Sequence, residues 1–397
     1  MARMFRRFVA VVLSASCAFA IFRPASLAPV DRILENTAAY VKQNPDKPDG
    51  YYALARTHYL AYSLSVRELE YFGTVPGAPF NGFSPGHARQ NSRLKRVPPM
   101  TAAERQQHYD EAVRNFRRAL ELSPKNALYT LGLASLQEDH GDQEQAIASY
   151  LAAFNGALPE DEKSIHVGPA GLSAFVTHEA GTSYIRMIDA RGRKPGEDRN
   201  VARMRALIAK LEKLPRAITP VVLSLNANEN STLRDMLDPR REVTFDLDGT
   251  GRAQRYSWLK ADTAFLVWDP ERTGAVTSGL QLFGSVTWWL FWENGYRALA
   301  ALDDNRDGKL AGPELRGLAL WFDRNQNGRS DPGEVVPMEN TEIESIAVAP
   351  NENEGDSLVS RNGLQMKDGR QLPTWDWTAK SIPLPLIGRH ILTEARP

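Results

Sequence analysis

Apolar residues in the first half of the chain recur every three or four positions, and in the second half they come in short runs. From Val30 to about Leu214 the three-to-four spacing predicts helices. The stretch 109–126 places Ala112, Phe116, Ala119 and Pro124 at helical intervals. The stretch 127–154 does the same with Leu133 and Ala134, then Gly141, then Ala146, Tyr150 and Ala153. An earlier helix is expected over 51–64, with Leu54 and Ala55 at packing positions, and its partner is delayed until about Ala102. Further helices are expected near 170–187 and 200–213, joined by a turn over 190–200. After Pro215 the pattern changes to short strand candidates at 221–225, 243–247, 264–268 and 345–349. One helix is expected among them, over 287–302, with Trp288, Trp292, Tyr296 and Leu299 on one face.

Ala112 to Ala146, Phe116 to Tyr150 and Ala119 to Ala153 are each 34 positions apart. Small residues at such sites let two helices approach, and the aromatic fills the gap toward the next hairpin. This spacing resembles the tetratricopeptide repeat, a helix–turn–helix unit. The resemblance implies a stacked helical array whose concave surface takes a protein or peptide partner. The expected class is therefore α + β and multidomain, with helical repeats over 29–215 and a β-rich domain over 216–397. A Pro- and Gly-rich insertion at 72–100 interrupts the repeats and ends in a basic cluster (Arg89, Arg93, Lys95, Arg96). It reads as a disordered loop or a partner-docking arm.

A chain of 397 residues exceeds what one core usually organises, which agrees with two domains. The 48 basic and 48 acidic residues balance, arguing against a general nucleic-acid binder. The start of the chain is basic (Arg3, Arg6, Arg7), then apolar from Phe8, then small at Ala18 and Ala20. Residues 1–20 read as a secretory signal peptide, so export to a periplasmic or extracellular space is expected. The alternative is an uncleaved N-terminal membrane anchor, although the apolar run is short for a span. Cleavage would remove the single cysteine and three arginines, leaving no membrane span, no disulfide and a net charge of −3. Bound metal is one way for such a protein to gain stability.

Residues 303–314 and 323–334 carry the most specific chemistry. Acidic or amide residues stand at the first, third and fifth places, glycine at the sixth and glutamate at the twelfth. Calcium takes six to eight oxygens, and a twelve-residue loop whose odd positions point inward can supply them. Both segments resemble the EF-hand calcium loop. The resemblance implies that Asp303, Asn305 and Asp307 offer side-chain oxygens, Lys309 its carbonyl and Glu314 both carboxylate oxygens. In the second loop the roles fall to Asp323, Asn325, Asn327, Arg329 (carbonyl), Asp331 and Glu334. Ala311 departs from the pattern, so water would fill its place. Gly308 and Gly328 permit the sharp turn.

Only eight residues separate the loops, too few for the helix pair of a standard EF-hand, so 315–322 has room for two helical turns or a strand. The order of segments over 243–335 also resembles calcium-loop arrays of exported bacterial proteins. In that comparison Asp246 and Asp248 form a weaker third loop, and the Asp269 segment has lost its ion. Arg306, Lys309, Arg324 and Arg329 dilute the ligand charge, which suggests an affinity of about 10⁻⁴ M, a structural staple rather than a switch.

The seven histidines are scattered along the chain without a zinc motif, and neither a nucleophile elbow nor a phosphate loop is present. The expected function is a non-enzymatic exported scaffold with structural calcium. The alternative is a calcium-stabilised secreted enzyme or carbohydrate binder using the tryptophans, all eight of which lie between Trp258 and Trp377.

Overall fold

The computed structural model describes residues 26–65, 69–71, 100–162, 173–211, 214, 217–249 and 253–382. The signal segment 1–20 and nearly all of the 72–100 insertion lie outside the described residues. The first half is helical: α1 (Val30–Gln43), α2 (Pro48–Leu64), α3 (Ala102–Leu122), α4 (Ala127–His140), α5 (Gln143–Asp161), α6 (Ser173–Arg191) and α7 (Glu197–Leu211). A short antiparallel ribbon, β1 (Ser26–Ala28) with β2 (Leu69–Tyr71), accompanies them.

Local chemistry sets the helix ends. Thr101 and Glu104 exchange backbone and side-chain hydrogen bonds in a capping box that opens α3. Asn126 caps α4, and Gly141, at φ +101°, ends it in the left-handed region where a side chain would be strained. The repeat positions Ala112, Phe116, Ala119, Ala146, Tyr150 and Ala153 are all fully buried. Phe116 presses on Gly132, where an added Cβ would stand 2.3 Å from its ring. The delayed partner of α2 is α3, joined to it through Tyr52 against Phe116 at 6.0 Å between ring centroids.

The second half is sheet-rich: β3 (Ala217–Ile218), β4 (Val221–Ser224), α8 (Leu233–Met236), β5 (Leu237–Phe245), β6 (Gln254–Leu259), β7 (Thr263–Trp268), α9 (Gly295–Ala300), β8 (Lys309–Ala311), β9 (Leu318–Trp321), β10 (Val335–Pro337), β11 (Ile343–Ala347), β12 (Glu352–Glu354), β13 (Ser357–Met366), β14 (Gln371–Asp376) and β15 (Ala379–Ile382). A nine-stranded antiparallel sheet runs β10-β9-β7-β4-β14-β13-β11-β8, with β12 paired to β13. A four-stranded sheet runs β3-β15-β6-β5. Phe245, Trp258, Phe265 and Trp321 fill the space between them, with neighbouring centroids 5.2–6.1 Å apart. Each strand candidate falls on a strand, and 318–321 is a strand rather than helical turns.

The expected helix over 287–302 does not form as one piece. Trp288, Trp289 and Phe291 have φ of +55°, +63° and +59°, and no helix continues through such residues. The chain makes a 3₁₀ turn over Thr287–Trp289, and α9 starts only after Asn294 caps it. The reason lies across the molecule. Arg56 of α2 is fully buried and donates from Nε to the Trp289 carbonyl at 3.3 Å. Its guanidinium lies 5.2–5.3 Å from the rings of Tyr59, Trp289 and Phe291. Cation–π attraction and an interior hydrogen bond offset a backbone strain of about 1–2 kcal/mol per residue. Seven of the eight tryptophans are buried and Trp289 is partly so, placing them in the core.

Candidate metal-binding loops

The two loops share one backbone course. Their first residues, Asp303 and Asp323, are 7 % and 3 % exposed, and their last, Glu314 and Glu334, are each 5 % exposed. At the fourth place Arg306 and Gln326 have φ of +63° and +57°, and at the sixth Gly308 and Gly328 have +84° and +71°. Two left-handed residues two apart curl the chain so that its amides point inward.

In the first loop Asp303 accepts N–H bonds from Arg306, Asp307 and Gly308 at 2.8–3.3 Å. Glu314 accepts from Asp304 and Asn305 through one oxygen and from Ala311 through the other. In the second, Asp323 accepts from Asn327 and Gly328, and Glu334 from Arg324 and Asp331. A carboxylate has about four lone-pair sites, so each retains capacity toward a cation. Asn325 and Asn327, at the third and fifth places, both donate to the Asp331 carboxylate at the ninth, at 2.7 and 2.8 Å. Those three side chains therefore converge. In the first loop Asn305 and Asp307 meet at 3.3 Å, and Ala311 adds no side-chain oxygen.

Burial pushes the Asp303 carboxyl above the usual carboxylate range; the N–H groups of Gly308 and Arg306 oppose this, and Glu314 adds to it. Asp323 is raised in the same way, by burial first, with Glu334 adding. Each loop thus holds two buried acids that raise one another's cost of ionisation, which a cation would relieve. The donor set of carboxylates, amides and carbonyls suits a hard ion with several oxygen ligands. Among the described residues no three His, Cys, Asp or Glu side chains stand together as a metal site, so the three acids of either loop would have to close on an ion, with amide, carbonyl and water oxygens completing the shell.

The Asp269 segment keeps the same turn. Asp269 accepts from Thr273 and Gly274 N–H, and Arg272 and Gly274 have φ of +52° and +65°. Leu280 stands where the closing glutamate would be, and the Gln281 amide donates to the Ala275 carbonyl at 2.8 Å. The Asp246 segment has Gly249 at φ +68° in the fourth place, and its fifth and sixth places lie outside the described residues.

Sequence reasoning missed two sets of contacts. Trp258 donates from Nε1 to Asp323 Oδ2 at 2.6 Å. On the other loop, Asp304 accepts from Arg32 Nε at 2.7 Å and Asn36 Nδ2 at 2.8 Å, both on α1. Arg32 and Asn36 also donate to the carbonyls of Leu302 and Ala301. These partners are 65 to 272 residues away, so no local pattern announces them.

Residues 221–378 match the family described as the SPM domain, a span that holds both loops. The iron-regulated protein FrpA of Neisseria meningitidis serogroup C is 32 % identical over 135 residues, which is 32 % of this chain and 12 % of that protein. The chain thus spans a small part of that relative's length. Among the described residues no helix is long and apolar enough to cross a membrane.

Proposed function

We propose that the protein is an exported, non-enzymatic interaction scaffold whose sheet-rich half is braced by calcium in the loops 303–314 and 323–334. The observation that carries this reading is the pair of buried carboxylates, at the first and last places, in each of two loops with the same backbone course. Asp303, Asn305, Asp307, the Lys309 carbonyl and Glu314 would hold one ion. Asp323, Asn325, Asn327, the Arg329 carbonyl, Asp331 and Glu334 would hold the other. Bound calcium supplies a fixed divalent charge that neutralises the paired acids and ties the two ends of each loop together. The basic and apolar N-terminal segment supports export, and the helical array supports a protein or peptide partner.

Terbium luminescence tests the metal reading. Trp258, bonded to Asp323, is placed to sensitise a terbium ion in the second loop. The expected result is a signal that calcium displaces and that Asp323→Ala with Glu334→Ala removes. A signal of equal strength in that double variant would overturn it.

A further inference from the structure

Two histidines that are separated along the chain meet in space. His58 of α2 and His108 of α3 approach with Nδ1 to Nδ1 2.8 Å and ring centroids 5.0 Å apart. Both side chains are partly open to solvent, so an ion could reach them. Burial, then the neighbouring ring and Arg114, pull His58 down to about 3. Burial also lowers His108, against the raising pull of Asp31 on α1 and of Glu104 and Glu111 on α3. Burial favours the neutral form of both rings, and a neutral imidazole carries one bare nitrogen. Without metal, one Nδ1–H donates to the other Nδ1.

Two nitrogens each about 2.0–2.1 Å from one ion, at a right angle, lie about 2.9 Å apart. The packed helices already hold the rings at that separation. Imidazole suits nickel, copper and zinc, whereas calcium and magnesium prefer oxygen. We propose that His58 and His108 form a two-imidazole site for a divalent transition ion of the nickel, copper or zinc class, bridging α2 and α3. Binding through both Nδ1 atoms puts each proton on Nε2, so one ring changes tautomer and no proton is released. Asp31 and Glu104 make the surroundings of His108 attractive to a cation. Arg114, the opposing charge near His58, is paired with Glu111 at 3.0 Å. Among the described residues no third His, Cys, Asp or Glu completes the group, so water fills the remaining positions. The site is separate from the oxygen-rich loops and does not depend on their occupancy.

Calorimetric titration of the untagged full chain with nickel chloride, in saturating calcium, tests the proposal. One site is expected, weakened by about tenfold or more in His58→Ala and in His108→Gln and unchanged in His140→Ala. Copper(II) resonance spectra should show coupling from two nitrogens in the parent and fewer in His108→Gln. If His58→Ala fails to fold, the partly exposed His108→Gln variant and the copper spectrum decide. No heat with the parent, or the same isotherm and spectrum in parent and His108→Gln, would show that the pair is a hydrogen bond between neutral rings and nothing more.

Discussion

Asp323 and Glu334 are both nearly closed to solvent, and Glu334 adds to the upward push that burial gives Asp323. A proton and a calcium ion compete for the same oxygens. Because burial raises Asp323 and Asp303, calcium affinity should fall as pH drops from 7 toward 5, earlier than for exposed aspartates. Calcium titrations at the two pH values check this, and equal affinities would count against either loop as the site. Glu334→Gln should weaken the second site by about tenfold or more, and, because its amide nitrogen would meet one of the two N–H groups that the carboxylate accepts, it should also lower the unfolding midpoint in chelator.

A second residue gives a pH signature independent of metal. Asp376 is fully buried, accepts the Gly295 N–H at 3.1 Å, and is pushed up to about 8 by burial. Between the ordinary aspartate range and that value the unfolded chain has released a proton that the folded chain keeps. Stability from this group is therefore lost as pH rises toward 8. Asp376→Asn, which mimics the protonated acid, should gain stability relative to the parent at pH 8 compared with pH 5, read from denaturant midpoints.

The helices and strands follow from local rules. Ala112, Phe116 and Ala119 repeat in Ala146, Tyr150 and Ala153, and all six are buried because the helical period puts them on facing surfaces. Gly132→Ala probes that packing. Its new methyl would meet Phe116, and a loss of about 1–3 kcal/mol is expected in chemical denaturation. The shared course of the two loops was legible for the same reason: its glycines and its first and last carboxylates lie within twelve residues, so spacing alone carries the pattern. Residues 287–302 were not. Their apolar spacing fits a helix, but Arg56 engages Trp289 and Phe291, and Trp288 packs edge-on against Trp268 and Phe283, so propensity yields to tertiary contacts at these left-handed residues. Trp258, Arg32, Asn36 and the His58–His108 contact were hidden because distance along the chain says nothing about proximity in the fold. The Asp269 turn was legible as a loop, but the Gln281 amide on its Ala275 carbonyl was not.

At the scale of the molecule, the first loop joins the nine-stranded sheet to α1. Its β8 segment pairs with β11, Asp304 is gripped by Arg32 and Asn36 of α1, and Arg306 lies 3.9 Å from Glu35 of the same helix. Arg297 of α9 adds an ion pair with Asp49 of α2 at 3.1 Å and covers Tyr40. An ion in the first loop should therefore be felt by the helices, and one in the second loop by the sheets. Calcium should slow amide exchange in α1 of the parent, less in Asp303→Asn and as before in Asp323→Asn. Equal protection in all three would separate the loop from the helices.

The guanidinium of Arg56 has a further consequence. A permanent charge shut away beneath two aromatic rings means that neither half of the chain is finished alone. Cleaved between Leu211 and Ala217, the helical piece would uncover a guanidinium that Trp289 and Phe291 had shielded, and the other piece would lose a contact to its tryptophan turn. Such pieces should be sticky apart and should reassemble when mixed.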